Sequence, residues 1–330
     1  MRVIVEAFVR FREIVIVTLL GVSSLSTADA QPVSGSTLNV EIVNSTLYRI
    51  GFCTLAEQKP TKLPAQSSVI SFGRSMGIGD IVSVNGQAVK GVAVEVFNGG
   101  ASSTTPAPGQ NIADINLNPL TVFWELTFVN LDGTRIGAVE IAGSSGQWTV
   151  TGGSGAFFGA RGTWTAAQDP LSGERTTSDC EDPSYRRINA DAGGNKRHGV
   201  LSLAPATPPA ILATPNGPAV THSSDFALVS ASKPARPGEI LSLFATGLGP
   251  VRGAVTGQPF PSSPPAAVNS PVQVTVNGNA AEVIGAVGYP GSVDGYQVNF
   301  RVPSDTPKGP ATIQLSAAWI TGAPVSVMVQ

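Results

Sequence analysis

With 330 residues, the chain is long enough for two ordinary domains, each with its own core. A net charge of −2 with only 13% charged residues gives no electrostatic case for nucleic acid, and no run of one sign forms a solvated tail. The 37 glycines and 26 prolines in so apolar a chain predict many short strands joined by turns, hence an all-β fold.

Residues 1–30 read as a signal peptide. Arg2, Arg10 and Arg12 precede an apolar run from Ile14 to Val22, and Ala28, Asp29 and Ala30 fit the A-x-A cleavage pattern. The run is too short for a bilayer, which takes about 20 residues. The expected mature chain starts near Gln31, has no membrane span, and is secreted or held at the cell surface. Cys53 and Cys180 are then an even pair in an oxidising compartment. A disulfide between them would add about 3–5 kcal/mol in the chain-entropy picture; the alternative is two separate buried thiols. Two cysteines and two histidines, His198 and His222, lack the close spacing of metal ligands, so neither metal nor cofactor is expected.

Leu38 to Val43 alternates apolar and polar, the period of a half-buried strand. Ile81 to Val89 contains Asn85-Gly86, a strong hairpin signal, and Gly91 to Phe97 is a further strand. Residues 99–110 are a loop by composition. Thr121 to Asn130 and Thr134 to Ile141 form a hairpin around Asp132-Gly133. With a two-residue turn, Trp124, Leu126 and Phe128 share a buried face with Gly137, Val139 and Ile141. The same register sets Glu125 opposite Glu140, an unfavourable pairing of like charges. Those carboxylates either share a proton in a cavity, as a general acid would, or sit on a wet outer face. Trp124, Trp148 and Trp164 are candidates for contact with an aromatic ligand, or for core packing.

The most distinctive stretch is GGSGAFFGARG, from Gly152 to Gly162. It resembles the glycine-rich signature of plant dirigent proteins, shared in part by allene oxide cyclases. FGRSMG, from Phe72 to Gly77, is a weaker echo of the same family. Ser154 stands where the family has threonine, and no catalytic residue of the family maps onto this sequence. The resemblance, over residues 35–205, implies an antiparallel eight-stranded β-barrel with an apolar cavity, Leu201 to Leu203 as closing strand, and a homotrimer. Arg161, inside the motif, is either a cavity cation or a structural arginine bonding carbonyls.

Residues 206–217 form a proline-rich linker. Beyond it, residues 218–330 give short alternating strands, with Asn277-Gly278 as a hairpin turn, the pattern of a small β-sandwich. PGEILSLFATGLGP, PVQVTVNGNAAEV and YQVNFRVP resemble a C-terminal domain of acidobacterial secreted proteins related to IPT/TIG immunoglobulin-like domains. No nucleophile elbow or Walker lysine occurs, and the S-x-x-K at Ser230 to Lys233 lacks its companion motifs. His198 and His222 are expected in solvated positions. Together these readings predict an exported, non-catalytic protein. Its barrel holds a small apolar or aromatic ligand, or an extracellular or cell-surface partner, and its sandwich is a spacer or attachment module. Two alternatives stand beside it: a stereocontrolling or isomerase barrel, and a purely structural or adhesive protein.

Overall fold

The computed structural model describes residues 36–50, 74–99, 119–144, 147–168, 187–188, 197–204, 206–255 and 257–330. The signal segment, Cys53 and Cys180 lie outside the described residues. Those described are all-β and fall into two compact units, one reaching to Ala206 and the other running from Thr207.

The first unit is a closed antiparallel barrel of eight strands. They are β1 (Ser36–Ile50), β2 (Arg74–Val84), β3 (Lys90–Gly99), β4 (Pro119–Val129), β5 (Arg135–Ser144), β6 (Gln147–Gly155), β7 (Arg161–Gln168) and β8 (Arg197–Ala204). From β2 to β8 each strand pairs with the next; β8 then pairs with β1, and β1 returns to β2, so the ring has no open edge. Asn85 and Gly86 make the expected turn, both at positive φ. Asn85 also ties the turn to β1: its amide donates to the Asn39 carbonyl at 2.9 Å and its Oδ1 accepts from the Asn39 amide at 2.8 Å.

On β4, Val122, Trp124, Leu126 and Phe128 are buried while Thr121, Phe123 and Glu125 face out. Trp124 pairs with Ile141, Leu126 with Val139 and Phe128 with Gly137, the register expected from sequence. The turn itself differs. The Asn130 amide donates to the Thr134 carbonyl across Leu131, Asp132 and Gly133, and Gly133 takes φ 90°. The extra turn residue is absorbed by an irregularity between Phe128 and Val129, which restores the register beyond it.

The glycine-rich motif closes one end of the barrel. Gly155 has φ 64°, and a Cβ there would lie 2.5 Å from the Ile136 carbonyl oxygen, so only glycine lets β6 turn this close to β5. Residues 156–159 then carry Phe157 inward against Phe128, with ring centroids 5.3 Å apart, and leave Phe158 66% exposed. Leu38, Val84, Ile136, Ala160 and Leu203 are fully or almost fully buried around this apolar plug.

The second unit is one curled sheet. Its main strands are β9 (Val220–His222), β10 (Ile240–Thr246), β11 (Val272–Val276), β12 (Asn279–Gly288), β13 (Tyr296–Arg301), β14 (Gly309–Ala317) and β15 (Val325–Val329). β12 is the corner: it pairs with β11 through Ala281, then with β13 from Glu282, with a bulge between Val283 and Gly285. The fold brings Leu241, Leu243, Val298 and Phe300 together with Val274, Val276, Ile313 and Leu315 in one core. The stretch read from sequence as a linker is largely folded into this unit. Ala210–Ile211 pairs with β10, and Ala213–Thr214 pairs with Gly217–Pro218. Pro208 and Pro209 stop short of these pairings, so they stiffen the approach without removing a ladder bond.

The motif's two phenylalanines should separate cleanly in urea unfolding of the barrel. Phe157→Ala is expected to cost about 3–5 kcal/mol, and Phe158→Ala to stay within about 0.5 kcal/mol. Equal effects would mean that Phe157 is not the plug.

Candidate functional site in the barrel interior

Part of the inner wall of β2 and β3, beyond Ile81, is built from small residues and one carboxylate. Gly77 pairs with Glu95 and Gly79 with Ala93, while Val92, Val94 and Val96 lie on the other face of β3. Glu95 is 3% exposed, and a Cβ on Gly77 would approach its Oε2 to 2.9 Å. The missing side chain on β2 is what gives the carboxylate its space.

Arg197, first residue of β8 and 7% exposed, reaches this carboxylate across β1 and β2; its Nη1 donates to Glu95 Oε2 at 2.5 Å. Its guanidinium carbon lies 5.3 Å from the centroid of the Trp124 ring. Trp124 packs edge-on against Trp148, at 6.1 Å, and against Trp164, at 5.8 Å. Trp164 in turn needs Gly199, where a Cβ would sit 1.7 Å from the indole Cη2. The three tryptophans singled out in the sequence therefore form one cluster, joined to an ion pair that sequence reasoning did not find.

The cluster is short of acceptors. Among the described residues, Trp124 Nε1, Trp148 Nε1, Trp164 Nε1 and Arg197 Nε are buried with no hydrogen-bond partner. A buried donor left unpaired costs about 1–3 kcal/mol. The carboxylate is also under electrostatic stress. Burial outweighs the charge and hydrogen bond of Arg197 and pushes Glu95 up from 4.5 to about 7.

The other sequence candidates lie elsewhere. Glu125 and Glu140 do pair directly, but both are exposed on the outer face, where Thr127 Oγ1 donates to Glu125 Oε1 at 3.0 Å. They do not enter the interior. Arg161 is exposed and its Nη1 donates to the carbonyls of Thr151, at 2.7 Å, and Ala160, at 2.8 Å, which is the structural alternative. Among the described residues no three His, Cys, Asp or Glu side chains are grouped to hold a metal. His198 is exposed on β8. His222 corrects the expectation of a solvated ring: it is 4% exposed in the second unit, with Nδ1 2.6 Å from Glu239 Oε1 and Nε2 3.2 Å from the Lys233 carbonyl. Glu239 also accepts from the Arg236 amide at 2.9 Å, so the ring staples the stretch leading into β10.

No family model matches the chain, and no curated protein matches it. Among solved structures, pyocyanin demethylase aligns over 52% of this chain and 99% of its own, at 16% identity and a TM-score of 0.25. The polysaccharide lyase BACCELL_00875 aligns over 90% of this chain and 40% of its own, at 9% identity and a TM-score of 0.17. The N-terminal domain of the Streptococcus gordonii adhesin Sgo0707 aligns over 90% and 96%, at 10% identity and a TM-score of 0.17. At these scores none of the three carries an argument about function.

Two measurements test the geometry. Glu95 binds its proton more tightly folded than unfolded, so its contribution to stability is full below about pH 4.5 and is lost as pH rises through about 7. Relative to Glu95→Gln, the wild-type barrel should lose about 3 kcal/mol over that window; parallel pH profiles would refute the raised titration. In the second unit, His222→Gln should cost about 1–3 kcal/mol, read from the Trp319 fluorescence transition, and a neutral result would mean the staple does not hold.

Proposed function

We propose that the barrel is a binding site for a small aromatic ligand, seated against Trp124, Trp148 and Trp164 beside the Glu95–Arg197 pair. The observation that carries this reading is a cluster of three tryptophans and one arginine with four buried donors that have no partner among the described residues. The described residues leave each of those donors unpaired, and a ligand with acceptor atoms would offset the cost. The protein around the barrel is read as exported, with the second unit an immunoglobulin-like spacer or attachment module of the IPT/TIG kind. The barrel itself is read as a relative of dirigent proteins. A trimer, as that resemblance implies, would cover the outward-facing Ile78, Val92 and Phe123, which are 37%, 42% and 50% exposed.

A second reading, an isomerase or stereocontrolling barrel, is favoured by one observation. Glu95 titrates near neutrality inside an apolar enclosure, where a general acid or base works best. In that case Glu95→Gln abolishes turnover of a bound compound while leaving its binding.

The binding reading is tested with 2-naphthamide, a neutral two-ring probe, followed by quenching of tryptophan fluorescence and by calorimetry. Saturable binding with one site per barrel is expected. Trp124→Phe should weaken it by about 2- to 10-fold, through the lost ring area and edge contacts. No saturation, or an unchanged constant in Trp124→Phe, would sink it.

A further inference from the structure

The polar groups of the interior define the charge of what binds there; this inference rests on the binding site proposed above. Every unpartnered polar atom of the cluster is a donor: three indole N–H groups and the Arg197 Nε–H. Glu95, the acceptor side chain of the cluster among the described residues, takes Arg197 Nη1 on its Oε2 at 2.5 Å. Among the described residues Arg197 is the one charged group that acts on Glu95. Gly77 faces the carboxylate from β2 and Trp124 from β4, and neither titrates.

We propose that the occupant is an aromatic carboxylate whose own carboxylate takes the free Nε edge of Arg197, and that its binding is coupled to the uptake of one proton by Glu95. A guanidinium presents parallel N–H bonds that match a planar carboxylate, and its Nη1 can stay on Glu95 while Nε serves the ligand. With Glu95 ionised, two carboxylates would share one cation in a buried, low-dielectric enclosure, leaving a net negative charge unpaired. With Glu95 protonated, its carbonyl oxygen still accepts from Arg197 Nη1 and its hydroxyl donates to the incoming carboxylate. The balance is one proton from solvent onto the Glu95 carboxylate for each anion bound, and the filled site then holds one cation and one anion. The energetic position of Glu95, with burial already pulling it towards the neutral form, makes that proton easy to take up.

The decisive experiment compares 2-naphthoate with its neutral isostere 2-naphthamide on the whole protein, by calorimetry from pH 6 to 9 in buffers of different ionisation enthalpy. At pH 6 the carboxylate should bind about tenfold or more tightly than the amide. Above the Glu95 titration its dissociation constant should rise about tenfold per pH unit, with one proton taken up per site, while the amide stays flat. Glu95→Gln should remove the pH dependence and the proton uptake but keep the preference for the carboxylate. Arg197→Gln should erase the preference; should that variant not fold, the wild-type comparison of the two probes still decides. Equal affinity for both probes overturns the anionic ligand and leaves the aromatic site standing. A carboxylate preference without proton uptake overturns the coupling. Failure of both probes to bind overturns the site itself.

Discussion

A carboxylate and a guanidinium inside a barrel set the terms for everything around them. Glu95 and Arg197 are 102 residues apart in sequence and meet across the interior, with β1 and β2 between their strands. Removing either partner alone strands a buried charge, at about 3–5 kcal/mol. The rest of the inner wall bends to this pair. Gly77 yields its side chain to Glu95, Trp124 offers its ring to the cation, and Gly199 makes room for the tryptophan that braces Trp124. Apolar packing of the same volume would have been at least as stable.

The two ends of the barrel are built differently, and the glycine-rich motif explains why. At one end Phe157 and Phe128 fill the lumen with stacked apolar volume, and glycines at 153 and 155 let the turn fold tightly enough to insert the ring. Towards the other end the inner positions carry Glu95, Arg197 and the tryptophans. An eight-stranded barrel is just wide enough for side chains to fill it or for one small ligand to sit inside. The motif that resembles the dirigent signature builds the turn between β6 and β7, the strands that carry Trp148 and Trp164, while Glu95, Trp124 and Arg197 come from β3, β4 and β8.

The barrel was legible in the sequence because its signals are local. Asn85-Gly86 and Asn277-Gly278 both form the turns that their positive-φ tolerance demands, and in each the asparagine also pins the neighbouring strand, to Asn39 in one unit and to Thr312 in the other. The β4–β5 register followed from the alternation of Trp124, Leu126 and Phe128, even though the turn is one residue longer than a simple hairpin. The site was legible only in part. The tryptophans stood out as large residues on the apolar face, but GVAVEVF misleads if alternation alone is trusted. Its valines are the more hydrophobic face and yet turn outward, Val92 being 42% exposed, while Gly91, Ala93 and Glu95 turn inward. Curvature and a neighbouring strand of glycines decide this, and neither is a property of the strand itself. The available signal was a pattern of small residues in two adjacent strands, Gly77 and Gly79 beside Gly91 and Ala93, which only tertiary pairing brings together. His222 misled for the related reason that a polar residue in a short strand is buried when a carboxylate further along, Glu239, turns back to meet it.

The imbalance between donors and acceptors is what turns this arrangement from a packing solution into a binding argument. A buried polar network that serves stability alone saturates itself, because each unpaired member costs more than an apolar replacement would. Among the described residues, Glu95 accepts from Arg197 at one oxygen, while three indole nitrogens and the Arg197 Nε are buried without hydrogen-bond partners. The unpaired groups of the cluster are all donors, and burial, working against Arg197, pushes the Glu95 carboxyl up towards its neutral form. The aromatic carboxylate proposed above would bring the acceptors, the aromatic face and the negative charge that this cluster lacks.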